Sequence, residues 1–226
     1  MPEPLALISG PDDLGTAVLT LNRPAKKNAL SIALREEVCE LIGRLAADQS
    51  VKALVIIGAG NCFSAGFDLE EFANPDPGHQ KRLWDSSDRF HQGILRFPVP
   101  VVAAIDGAAY AGGFDLALLC DMRIATPRAT LAHPESAFGP VVYAPLHDLV
   151  GGAIARELVL TGRRLDAEEA LGLRLVSEIV PQADLASRAV ELAHLASRAP
   201  RDVLVRTKSK FLARAGIAPG TQTLDL

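Results

Sequence analysis

Apolar residues in this chain fall into short blocks of two kinds. Some are unbroken runs of five or six residues, rich in β-branched side chains, at Thr16–Leu21, 53–57 and Val101–Ile105. A run of that length bounded by turn residues predicts a strand covered on both faces, as in a parallel sheet. Others recur at helical spacing. Leu34, Val38, Leu41, Ile42 and Leu45 share one face of a helix reaching about Asp48, with Ser31 as its N-cap. Further helices are predicted over 79–95, over Gly152–Thr161 with Gly162 closing the end, and over 183–197. Asp166 with Glu169 reads as a capping box opening a short helix, and Pro200 as the first residue of the last one. Shorter strands are predicted at 5–8, Met122–Ala125, Thr130–Ala132 and 176–180. Strands alternating with helices imply an α/β domain with largely parallel pairing. No fixed-period repeat or dividing linker interrupts the chain, and residues 215–226 are expected to fray.

Two of the strands run into glycine turns. The stretch 101–121 reads VVAAIDGAAYAGGFDLALLCD, and 51–72 reads VKALVIIGAGNCFSAGFDLEEF. In each, an apolar run delivers a turn of small residues that opens into helix-like sequence. Glycine belongs where backbone must come close to something. The N–H groups at a helix start lack intrahelical acceptors and sit at the positive end of the helix dipole. They suit an oxygen that gains negative charge. Asp115 falls one turn inside the second such helix.

Composition narrows the class. The 226 residues are 49% hydrophobic and 22% charged with net charge −4, which fits one globular domain. No basic face argues for nucleic acid, and no apolar run approaches the roughly 20 residues that span a bilayer. The start MPEPLALISG lacks the basic and apolar regions of a signal peptide. Cys39, Cys62 and Cys120 have no metal-like spacing and fit a reducing compartment, so a cytoplasmic protein is expected.

Other motifs fail on spacing. Gly58-Ala59-Gly60 follows a strand, but the third glycine of a dinucleotide fingerprint would fall at Phe63. The residues flanking Ser64 break the nucleophile-elbow pattern. His133 and Glu135 invite a metal reading, yet the sequence offers no convincing third ligand, and no metal is expected. His79, His91, His147 and His194 read as solvated.

Taken in order, several short motifs resemble the enoyl-CoA hydratase/isomerase (crotonase) superfamily. They are Leu21-Asn22-Arg23-Pro24 with Asn28-Ala29-Leu30, AGxD at 65–68, Ile105-Asp106-Gly107 with Gly112-Gly113, and Cys120-Asp121-Met122-Arg123-Ile124-Ala125. Pro134-Glu135 and Leu160-Thr161-Gly162 continue the series, and the resemblance spans residue 19 to about 212. It implies a crotonase-like ββα spiral core over residues 1–195 with a shortened C-terminal helical segment over 196–226. It implies an acyl-CoA substrate, no separate cofactor, and a homo-oligomer, trimer or hexamer.

Carried over residue by residue, the resemblance makes the backbone N–H groups of Phe67 and Gly112 the oxyanion donors. Glu135 and Asp115 become the acid/base pair, and Lys27, Ala29, Ala65, Phe67, Asp68, Leu69, Glu70 and Gly112 the coenzyme A contacts. Lys26-Lys27 remains equally readable as a solvated turn. The chemistry fits: an α,β-unsaturated thioester that takes up water develops negative charge on its carbonyl oxygen. The expected reaction is hydration of a 2-enoyl-CoA. The alternatives are 3,2-enoyl-CoA isomerisation and non-catalytic acyl-CoA binding. This chain departs from the family at Asp115, where glutamate is usual, and over 138–145, where a glycine-rich turn is usual and Tyr143 is expected to wall the acyl pocket.

Overall fold

The computed structural model describes residues 3–137 and 139–226. Met1, Pro2 and Phe138, the first residue of the atypical 138–145 segment, lie outside the described residues. The chain opens with β1 (Ala6–Ser9) and β2 (Thr16–Leu21), which pair antiparallel. Helix α1 (Ile32–Ala47) follows; the Ser31 hydroxyl accepts the Leu34 N–H at 3.2 Å and so starts it as the sequence predicts. Next come β3 (Ala53–Gly58), α2 (Leu69–Phe72), α3 (Pro77–Leu95), β4 (Val101–Ile105), β5 (Ala108–Tyr110), α4 (Gly112–Leu119), β6 (Met122–Ala125) and β7 (Thr130–Ala132). The chain ends with α5 (Ala144–Val150), α6 (Gly152–Thr161), β8 (Leu165–Asp166), α7 (Ala167–Gly172), α8 (Leu185–Ala196) and α9 (Arg201–Ala215).

The strands form two sheets. The larger runs β1-β2-β3-β4-β6, parallel from β2 onward, and the smaller runs β5-β7-β8. Successive strand pairs therefore divide between the sheets, with helices between them, which is the spiral the resemblance implies. The unbroken apolar runs have a direct cause. Alternate residues Leu54, Ile56, Val101, Ala103 and Ile105 enter the main core beneath α1, α3 and α4. Ala53, Val55, Val102 and Ala104 face the other way, onto Leu185, Ala189 and Ala193 of α8. Both faces of β4, and of β3 over 53–56, are buried.

Several expectations need correction. Residues 176–180 form no strand; Ile179 makes one isolated bridge to Ala125 before Pro181 ends the pairing. Pro200 stands one place earlier than expected, as the N-cap of α9. Helix α3 starts at Pro77, not His79, because the Asp76 carboxylate accepts the His79 N–H at 2.7 Å. The 215–226 segment packs onto the core. Thr223 and Leu226 are buried, and the Leu226 carbonyl accepts the N–H groups of Tyr143 and Ala144. Within 196–226, Lys208 of α9 is tied to Asp121 at 2.8 Å and to the Val99 carbonyl.

Candidate active site

The two glycine turns lie against each other, backbone on backbone. Ser64 and Ala109 form a parallel bridge, in which the Ser64 N–H donates to Ala108 and the Tyr110 N–H donates to Ser64. A Cβ at Gly113 would sit 2.4 Å from the Ser64 carbonyl oxygen, so only glycine permits the approach. Gly66, at φ +90°, is equally constrained; its Cβ would lie 2.7 Å from the Tyr110 carbonyl and 3.3 Å from the Gly112 nitrogen. The turns 64–67 and 110–113 are thus one assembly. Ala111 carries the strain of the join, at φ 49° and ψ −129° with its N–H bonded to Ala132.

This assembly brings the two proposed oxyanion donors together. Gly112 is the first residue of α4, where a backbone N–H has no acceptor within the helix. Among the described residues, neither the Phe67 nor the Gly112 N–H donates to a carbonyl outside the regular ladders. The Phe67 ring rests over Gly112, against Trp84 and Phe72, with the guanidinium of Arg35 over its face. Arg35 itself is fully enclosed, bonded to the carbonyls of Leu30 and Leu83 and to Ser86.

One turn into α4, Asp115 meets His133. Nε2 of His133 lies 2.8 Å from Oδ1 of Asp115, and both side chains are almost wholly buried. Glu135, two residues past His133, completes a group whose donor atoms all lie within 4.8 Å of one another. Burial pushes the Glu135 carboxyl up to about 7, the positive charge of His133 pulling against it. Burial disfavours the His133 imidazolium, but the hydrogen bond and charge of Asp115, with Glu135 adding, outweigh it and hold His133 above the ordinary histidine value. The Asp115–His133 contact has the length of a hydrogen bond. Two ligands of one tetrahedral ion, each about 2.0–2.2 Å from it, would stand further apart.

The sequence offers no third metal-type ligand to go with His133 and Glu135. The structure supplies Asp115, distant by 18 positions along the chain. It also corrects His91, expected to be solvated. His91 is fully buried on α3, its Nδ1 beside Ser87 and Thr223, and its Nε2 has no partner among the described residues. The signal was present: Ser87, His91 and Ile94 are spaced to share the apolar face of α3.

The expected coenzyme A contacts are mixed in character. Asp68 is held in place, ion-paired with Arg23 at 3.0 Å and capping α2. Arg23 also donates to the Ala29 carbonyl, a role sequence reasoning missed. Lys27 is exposed, and its carbonyl accepts the Ala65 N–H; Ala29 is buried. Leu69 and Glu70 are exposed at the rim, Glu70 paired with Lys26 at 3.1 Å. Tyr143 is half-buried against the core, its ring near His147.

Fold and site together define an α/β class in which two glycine turns pack against each other beside a cluster of buried titratable groups. Residues 13–225 match the family described as enoyl-CoA hydratase/isomerase, and the chain belongs to that family, the crotonase superfamily. It is 35% identical over 205 residues to 4-chlorobenzoyl coenzyme A dehalogenase-2 of an Arthrobacter species, covering 87% of this chain and 74% of that one. It is 33% identical over 220 residues to 2,3-dehydroadipyl-CoA hydratase of Escherichia coli, covering 92% and 85% respectively. Among solved structures, an enoyl-CoA hydratase from Bacillus anthracis superposes with TM-score 0.89 at 28% identity, over 95% of this chain and 85% of that one. A dehalogenase and a hydratase stand at nearly equal identity, so identity alone does not choose the reaction.

Proposed function

We propose that this enzyme adds water across the double bond of a 2-enoyl-CoA. The observation that carries the reading is Glu135, a half-buried carboxyl raised to about 7 that lies beside Asp115 of α4, the helix whose first N–H is that of Gly112. A group that titrates near the working pH can both take and return a proton. In the proposed cycle the Glu135 carboxylate accepts a proton from water as the oxygen bonds to the β carbon. The π electrons move to the thioester oxygen, which the Phe67 and Gly112 N–H groups hold as an enolate. Glu135 then returns the proton to the α carbon, and every atom of the water is accounted for. Each backbone donor of this kind is worth about 3–4 kcal/mol to the transition state. Lys27, Ala29, Ala65, Asp68, Leu69 and Glu70 line the coenzyme A approach in this reading. Coenzyme A arrives with the substrate, and the cycle uses no resident cofactor. Among the described residues no helix is long and apolar enough to cross a membrane, and the reading extends to a cytoplasmic homo-oligomer.

One observation favours a second reaction. The Oδ1 of Asp115 is committed to His133, which leaves Glu135 as the readiest proton carrier. Isomerisation of 3-enoyl-CoA to 2-enoyl-CoA needs only one such carrier. The deciding experiment follows the enoyl-thioester absorbance of crotonyl-CoA with purified protein and weighs the product. Loss of the band with gain of one water supports hydration. An unchanged band, with 3-enoyl-CoA converted to 2-enoyl-CoA, selects the isomerase, and binding with neither turnover selects a non-catalytic binder.

A further inference from the structure

The aspartate at position 115 is one methylene shorter than the glutamate usual in the family, and on its own its carboxylate would be free to take several rotamers. Here it is not free. His133 Nε2 lies 2.8 Å from Asp115 Oδ1, and the His133 side chain is itself held by the Phe114 ring, centroid to centroid 4.7 Å. No hydrogen bond reaches Asp115 Oδ2 among the described residues. Nor does any partner reach Oε2 of Glu135 or Nδ1 of His133, both buried. Buried polar atoms without protein partners call for water or for a bound polar group. Asp115, His133 and Glu135 each bring one polar atom within 4.8 Å of the others.

We propose that His133 is the positioning residue that fits the shorter Asp115 to this site. Its Nε2–H clamps one carboxylate oxygen, leaving Oδ2 of Asp115 and the carboxyl of Glu135 to bracket the reacting water. The charged groups that face His133 are Asp115 from α4 and Glu135 from the turn after β7. His91, on α3, is the other titratable group close to Asp115, and burial there favours its neutral form. When protonated, His133 opposes the effect of burial on Glu135 and so favours the carboxylate that accepts the proton of water. An imidazole oriented by a carboxylate is a recurrent way of fixing both tautomer and direction.

The inference rests on the hydration reading, and its test separates the two. Crotonyl-CoA hydration is measured against pH for the wild type, His133→Ala and His133→Gln. In parallel, the His133 imidazole is titrated by NMR in the wild type and in Asp115→Asn. His133→Ala is expected to lower kcat by roughly ten- to a hundredfold with KM little changed. It should also move the acid limb of the profile to higher pH by about one unit, because a positive charge near Glu135 is gone. His133→Gln keeps a side-chain donor without the charge, so kcat is expected to recover in part while the limb stays displaced. The wild-type imidazole should titrate above the ordinary histidine range and fall back toward it in Asp115→Asn. An ordinary titration in the wild type overturns the clamp, whether or not any variant folds. An unaltered acid limb in a folded His133→Ala also overturns it. If the wild type does not hydrate crotonyl-CoA, the hydration reading fails, and the NMR titration alone then decides the clamp.

Discussion

The guanidinium of Arg35 lies 4.5 Å from the centroid of the Phe67 ring, and it has no carboxylate partner among the described residues. A buried arginine satisfied by carbonyls, a hydroxyl and an aromatic face is an uncommon arrangement. Its desolvation is severe enough to bring the guanidinium down to about 10. The contact joins α1 to the turn that carries the proposed Phe67 donor, so one side chain bears on both the fold and the proposed site.

Arg35→Met is therefore expected to destabilise the fold by about 2–4 kcal/mol, because the Leu30 and Leu83 carbonyls lose their buried donor. Urea denaturation measures the loss. Turnover at temperatures where the variant stays folded should fall as well, since Phe67 loses the cation that holds its ring. An unchanged denaturation midpoint would refute the structural half of this account.

At Gly113 the test is steric. A methyl group there meets the Ser64 carbonyl at 2.4 Å, and neither backbone has room to give. Gly113→Ala is expected to cost about 2–3 kcal/mol and to abolish most of the activity, since separating the turns moves both donors. Wild-type melting temperature and rate in this variant would show that the turns are not locked together.

Glu135→Gln should separate chemistry from stability. Activity is expected to drop by about a hundredfold or more while acyl-CoA affinity is retained, as for loss of a proton-transfer group. Stability should move the other way above neutral pH. The Glu135 carboxyl binds its proton more tightly in the folded state than unfolded, so it contributes stability below its unfolded value. That contribution fades as pH rises from about 4.5 through about 7. At pH 8 the wild type carries a buried carboxylate that glutamine lacks, and the variant should be more stable by about 1–3 kcal/mol. A melting temperature at pH 8 equal to or below that of the wild type would count against the raised carboxyl.

Lys208 tests the packing of the last helix. Its Nζ is buried against Asp121 and the Val99 carbonyl, and Asp121 in turn accepts the Val101 N–H at 2.7 Å. Lys208→Met leaves both acceptors without their cation and is expected to cost about 2–4 kcal/mol. Thermal melting checks it, and a shift below one degree would mean that α9 is only loosely docked.

The central strands β3 and β4 were legible because they are buried on both faces and so carry unbroken apolar runs. Caps at Ser31, Asp166 and Gly162 were legible because the residues that satisfy helix ends are few in kind. Strand β5 escaped notice because Ala108–Tyr110 has neither length nor alternation; its partner β7 and the adjacent glycine turn define it. Helix α5 follows Pro140 and holds Pro145 in its first turn, a composition that reads as loop. At the site, the sequence order pointed to Glu135, Asp115 and the two glycine turns. The Asp115–His133 bond was not legible, because it crosses from α4 to the end of β7 and no local pattern announces a contact of that kind. The same motifs carry structural work visible only in the fold. Asn28 bonds to Arg23, Ala59 and Cys62, and Arg123 closes the end of α4 by donating to Ala117 and Cys120.

The bridge between Ser64 and Ala109 has a consequence for how such a site can diversify. In the proposed reaction the parts that receive the substrate's oxygen are main-chain atoms, held by main-chain bonds between the two turns, and the side chains at 115, 133 and 135 are not among them. Reagents can be exchanged on an unchanged anvil. A lineage built this way can swap the proton-handling group by a single codon change and still present the thioester correctly. In this chain the carboxylate on α4 is Asp115, with His133 bonded to it.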